Sequence, residues 1–207
     1  MQKSLPIVTL VIIAVLIFMS GCFTAKKIQN NEEGIESSIT NNSASIRLAT
    51  NIGNAAIIPI FNRYARRDDV IETRKIDLAK LASVQAGTVL FMYGKNDNQT
   101  EAFRLAKDNN VKIIAFNLED ASMTQAELVA QETQAYELAK ADGFTYGFAP
   151  LAIHCLKYGP DLAQHTDIIA IQLRNWQLMS NFSDEVHLIS SRMREANPNI
   201  EIWGQLD

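Results

Sequence analysis

Beyond residue 45 the chain alternates short apolar runs with longer stretches whose apolar side chains recur every three or four positions. Val111-Lys112-Ile113-Ile114-Ala115-Phe116 and Ile168-Ile169-Ala170-Ile171 are apolar on both faces. A parallel strand covered on two sides reads this way. Runs of this kind predict strands at 46–51, 88–93, 111–118, 144–149, 167–173 and 200–206. The stretches between them carry helix signals. Asn98 precedes Glu101 and Thr124 precedes Glu127 at capping-box spacing, and Ser183 opens Asp184-Glu185-Val186. Val186, Ile189, Met193 and Ala196 form one apolar stripe, while Gly143 and Pro198 mark helix ends. Segment 52–87 shows helical patterns at 54–64 and 75–86 and no strand pattern.

From residue 88 onward, strand starts fall about one βα unit apart. Connections of that length join parallel strands through right-handed crossovers. The predicted fold class is therefore α/β, with parallel strands and alternating helices. It reads as an incomplete or truncated (βα)8 TIM-like barrel of about six strands, with an open doubly wound sheet as the alternative. No GxGxxG or GxxxxGK[ST] run occurs, which argues against a nucleotide-binding sheet. A complete eight-unit barrel takes about 250 residues. The stop at Asp207, on a predicted strand end, predicts a shortened barrel or a fragment of a longer one.

The N-terminus has a different pattern. Lys3 precedes an apolar stretch over 5–19, broken only by Pro6 and Thr9, and Ser20-Gly21-Cys22 follows. That order matches a secretory leader. Met19-Ser20-Gly21-Cys22 resembles a prokaryotic lipobox, with Met where Leu is usual. The resemblance implies a leader over 1–21, lipidation at Cys22, a flexible polar tether over 22–44 and an α/β domain over 45–207. Stable anchoring by acyl chains takes roughly two chains, or one chain and a second signal. An uncleaved transmembrane helix over 5–23 is the competing reading. Both place the domain outside the cytoplasm, with the membrane as partner.

Composition narrows the function. The chain is 47% hydrophobic and 20% charged, which excludes wholesale disorder. Its net charge of −4 becomes more negative once Lys3 leaves with the leader, so nucleic acid is not the expected partner. The two cysteines exclude a disulfide scaffold. Cys155 shares a helical stripe with Leu151 and Tyr158 and reads as buried and inert. The three histidines form no HxxxH or HExxH pair, no Cys/His cluster exists, and there is no GxSxG elbow. Neither a metal nor another cofactor is expected.

In both candidate architectures the site lies at the carboxyl ends of the strands. Side chains alternate along a strand. Asn117 and Glu119 therefore share a face, as do Gln172 and Arg174, and as do Trp203, Gln205 and Asp207; Tyr93 ends its strand. Amides, carboxylates and an arginine around an aromatic ring suit a sugar or another hydroxyl-rich ligand. Glu119 is the candidate general acid, and Asp207 is its only strand-end partner. The plainer alternative is that strand ends are polar because the chain enters solvent there, with Asp120 or Ser122 helping to cap a helix.

Residues 113–206 are similar to a family of uncharacterised secreted prokaryotic proteins with a glycosidase-like TIM barrel. The likeness rests on Asn117-Leu118-Glu119 followed by Thr124-Gln125-Ala126-Glu127, on Gly147-Phe148-Ala149-Pro150, on residues 165–172 and on residues 196–206. It implies the barrel fold and carries no activity with it. Asn117 stands where the family usually has an acid. Two functions follow as expectations: a carbohydrate-active enzyme at the cell surface, or a non-catalytic binding or structural module. A fragment without activity is a third.

Overall fold

The computed structural model describes residues 47–174 and 176–205. The predicted leader, Cys22, the tether, Leu206 and Asp207 lie outside the described residues. Seven strands alternate with helices. They are β1 (Ala49–Asn51), β2 (Val70–Thr73), β3 (Thr88–Gly94), β4 (Ile113–Leu118), β5 (Thr145–Pro150), β6 (Ile168–Gln172) and β7 (Glu201–Gln205). Between them lie α1 (Ile57–Tyr64), a 3₁₀ segment (Lys75–Ser83), α2 (Gln99–Asp108), α3 (Gln125–Ala141), α4 (Ala152–Leu162) and α5 (Phe182–Ala196). All neighbouring strands are parallel, and their order in the sheet is their order in the chain. Among the described residues the sheet is therefore an open parallel one, as the alternative reading has it, but its strand order does not reverse to form a doubly wound switch point.

The sheet curls. Arg47, just ahead of β1, donates to Glu201 of β7, and its guanidinium lies 5.7 Å from the centre of the Trp203 ring. In a flat sheet β1 and β7 would stand six spacings, or roughly 29 Å, apart. One side chain cannot span that distance, so the first and last strands must approach each other. They remain unpaired with one another among the described residues.

Curvature gives the two faces different residents. In-register partners share a face. One face carries Val70, Leu90, Met92, Ile113, Ala115, Ala149 and Ile168, with Ala170 and Trp203 packed against them. The opposite, helix-covered face holds the larger core, including Phe91, Tyr93, Ile114, Phe116, Leu118, Tyr146, Phe148, Ile169 and Ile171. Arg47 reaches Trp203 over the first of these faces, which makes it the concave one.

The extra strand, β2, is missed by hydrophobic pattern because it has only four residues, the third an acid, and follows the charged run Arg66-Arg67-Asp68-Asp69. Its neighbours supply the ordering. Val70 N–H donates to Leu48, Thr88 N–H donates to Asp69, and the buried Asp69 carboxylate accepts from the Leu48 and Arg66 amides at 2.8 Å each and from Arg66 Nη2 at 3.0 Å. Burial alone would raise the pKa of Asp69; the Arg66 side chain, the two amides and the Arg66 charge outweigh it and bring it to about 2. Gly87, just before β3, has φ +71°, and a Cβ there would lie 2.5 Å from the Phe61 ring. Only glycine fits both constraints.

The helix starts follow their caps, with two differences. Thr124 and Glu127 form the full capping box ahead of α3. Asn98 caps α2 by accepting from Glu101 N–H at 2.9 Å, but the Glu101 carboxylate turns away to Lys75, 3.0 Å off, so the box is not closed. α5 starts one residue before Ser183, with Asn181 at the cap position and no side-chain capping bond. Lys75–Ser83 winds as 3₁₀ turns rather than as the α-helix the 75–86 pattern suggests. Among the described residues, no helix is long and apolar enough to cross a membrane.

Candidate functional site

The carboxyl ends of β4 and β6 meet on the concave face. Strands two apart are about 9.6 Å from each other, too far for short amides unless the sheet is concave and the strand between is lined by a small residue. Ala149 of β5 is that residue. Gln172, 6% exposed, donates to the Ala149 carbonyl at 3.1 Å and to Asn117 Oδ1 at 2.8 Å. Asn117 Nδ2 then donates to Glu119 Oε1 at 3.0 Å. The backbone carbonyl fixes which end of Gln172 donates. This fixes the amide of Asn117, and Asn117 in turn fixes the carboxylate of Glu119. Glu119 itself is exposed.

The other predicted residues are placed as follows. Gln205 ends β7 in register with Gln172 and is half-buried. Arg174 is exposed in the loop after β6, where its carbonyl accepts from Gln177 Nε2 at 3.3 Å. Trp203 is on the concave face, but it is engaged toward the amino ends of the strands. Its indole N–H donates to Glu201 at 2.9 Å, and the Arg47 guanidinium lies against its ring. Tyr93 is not with this group. Its position on β3 points to the helix side, where it is 3% exposed, stacks on Phe116 at 4.9 Å and meets Phe103 edge-on at 5.9 Å. Its hydroxyl accepts from Gln99 at 3.1 Å, and burial pushes its pKa up. Asp207 and Cys22 fall outside the described residues.

The structure adds a second polar group that the sequence did not reveal. At the ends of β1 and β2, Asn51 Nδ2 donates to Glu72 Oε1 at 2.7 Å, and Arg74 Nε donates to the same oxygen at 3.2 Å. Arg74 Nη2 also reaches the Met92 sulfur at 3.5 Å. Glu72 and Arg74 could not be read as strand-end residues while β2 was unrecognised. Asn51 was legible as the end of its strand.

Glu72 does not pair with Glu119. Register places Glu72 beside Leu90 and Leu90 beside Ile113. Glu119 lies six residues beyond Ile113, about 20 Å further along the strand direction at 3.3 Å per residue. A glycosidase pair needs roughly 5–10 Å. Asp120 is also committed elsewhere. Lys95 binds it, Ser122 donates to it from Oγ at 2.6 Å and from its amide at 3.0 Å, and these bonds hold it below the usual carboxylate range. It constrains the loop after β4 instead of capping α3, which Thr124 does.

Among the described residues, two concavities lie away from this group. One, of about 170 Å³, lies between Lys75 and the start of α2 and includes Tyr93. The other, of about 510 Å³, runs between the start of α3 and the end of α4. Neither contains Asn117, Glu119 or Gln172. No group of three or more His, Cys, Asp or Glu side chains among the described residues could hold a metal ion. In comparisons with known proteins, no family model matches the chain and no curated protein matches it.

Proposed function

We propose that this is an exported protein, anchored through Cys22, whose TIM-like barrel binds a carbohydrate at the carboxyl ends of its strands. The observation that carries the reading is the relay from Gln172 through Asn117 to Glu119. It presents an oriented carboxylate beside two side-chain amides on the concave face. Sugar hydroxyls are both donors and acceptors, and such a row complements them. The barrel reading draws on the strand order without reversal and on the Arg47 contact across the two edge strands.

Hydrolysis is the second reading. Glu119 would be the general acid and Asp207 its partner, and the Asn117 hydrogen bond that orients Glu119 favours it. A glycan panel tested for retention and for release of reducing ends separates the two. The binding reading expects at least one glycan to be retained and Asn117→Leu to weaken it about tenfold, the scale of one lost charge-assisted hydrogen bond. Release of reducing ends that Glu119→Gln abolishes would establish the enzyme. If the wild-type protein retained no glycan, both readings would fall.

A further inference from the structure

The helix-covered side of the sheet contains a carboxyl group that nothing around it satisfies. α3 docks through Leu128, Glu132, Ala135 and Ala139, so Glu132 lies in the middle of the docking stripe. Glu132 is 0% exposed, and neither of its carboxyl oxygens has a hydrogen-bond partner among the described residues. The titratable groups near it are neutral ones. Tyr146 of β5 has an equally unpartnered hydroxyl, and Cys155 of α4 has a buried thiol; both respond to the charge of Glu132. Tyr136 of α3 closes the group against Tyr146 at 6.0 Å and against His165 at 6.4 Å. β4 presents Ile114, Phe116 and Leu118, and β3 adds Tyr93, which acts on Tyr146. The cations at this helix sit at its carboxyl end, where Lys140 pairs with Asp167 at 2.9 Å and Lys107 pairs with the cap residue Asp142 at 2.6 Å.

We propose that Glu132 is a pH-sensitive latch: as a neutral acid it lets α3 dock on the sheet, and its ionisation releases the helix. An unpaired carboxylate in an apolar interior is far costlier than the neutral acid, because the dipoles of water are lost and no counter-charge replaces them. Burial accordingly raises the carboxyl well above its ordinary range. The direction follows from proton counting. The unfolded chain loses this proton near pH 4.5 while the folded chain keeps it. Stability is therefore complete below that pH and falls as pH rises toward the folded value. His154, buried with its Nδ1 unpartnered and its pKa lowered mainly by burial, works in the opposite sense below pH 6.5. α3 begins at the Thr124 cap, five residues after Glu119. Its release would also free the loop that presents Glu119. The latch does not depend on that face binding carbohydrate.

The test compares the full-length wild-type chain with Glu132→Gln. Denaturant unfolding from pH 5 to pH 9 cancels the groups common to both. The ratio of the unfolding constants, wild type over variant, should rise about tenfold per pH unit until Glu132 ionises in place. Hydrogen exchange over 125–141 should accelerate above that point in the wild type alone. The infrared band of a protonated carboxyl should be present in the wild type at pH 7. Glu132→Met supplies the comparison if Glu132→Gln does not fold. A ratio that stays constant from pH 5 to pH 9, or a wild type without the protonated band at pH 7, would overturn the latch.

Discussion

Asn117 has two hydrogen-bonding ends, and both are used. Its oxygen accepts from Gln172 and its nitrogen donates to Glu119. Replacing it with Asp removes the donor and places a like charge beside Glu119. We expect Asn117→Asp to weaken glycan retention at least as much as Asn117→Leu does, while thermal unfolding of the two variants stays within a few degrees. Asp69 provides a separate test at this scale. Its folded pKa of about 2 lies below the unfolded value of 3.8, so its contribution is present above pH 4 and is lost as pH falls toward 2. Asp69→Asn should cost about 2 kcal/mol at neutral pH, with the gap from wild type closing on acidification. Urea titrations at pH 7 and pH 3 should show the full gap at the first pH and roughly half of it at the second. Of the residues expected at the strand ends, the placement of Asn117, Glu119, Gln172 and Gln205 was legible from strand alternation. Tyr93 was not, because its place at the end of a run does not reveal which face it occupies. The stacking on Phe116 and contact with Phe103 turn it to the helix side.

At the scale of elements, the strands with continuous apolar runs and the helices with side-chain caps were readable, because those signals are local. β2 was not, since its order comes from Leu48, Arg66 and Asp69 outside it. The Lys75–Ser83 segment likewise has apolar spacing suited to a helix but winds as 3₁₀ turns, for which we have no local cause. The strongest cap is the Thr124–Glu127 box, in which the Glu127 carboxylate accepts from Thr124 N–H at 2.9 Å. Thr124→Ala should cost about 1 kcal/mol and raise hydrogen exchange in the first turn of α3. Gly143, at φ +78°, ends that helix in open space, so a side chain there meets backbone strain and no collision. Gly143→Ala should therefore cost about 1 kcal/mol, close to the left-handed backbone penalty alone.

For the molecule as a whole, the decisive fact is a sheet whose two edges approach each other. Arg47 joins them through Glu201 and Trp203, at side chains about one-third exposed, so the ion pair itself adds little. Arg47→Ala should cost about 1 kcal/mol or less and still change the emission of Trp203 in a Trp176→Phe background. Sequence could not have announced this contact, because it joins residues 154 positions apart. The anchor is tested by Cys22→Ser, which should move the chain from the membrane fraction to the soluble exported fraction; wild-type and variant chains fractionating alike would remove the lipid from the account. The central claim, that the concave strand ends hold a carbohydrate, is tested most directly by calorimetric titration of a retained glycan into wild type, Asn117→Leu and a variant altered only at the 510 Å³ groove, Gln164→Ala. The account predicts about tenfold weaker binding for Asn117→Leu and unchanged binding for Gln164→Ala. Equal affinity in wild type and Asn117→Leu, or loss of binding only in Gln164→Ala, would contradict it.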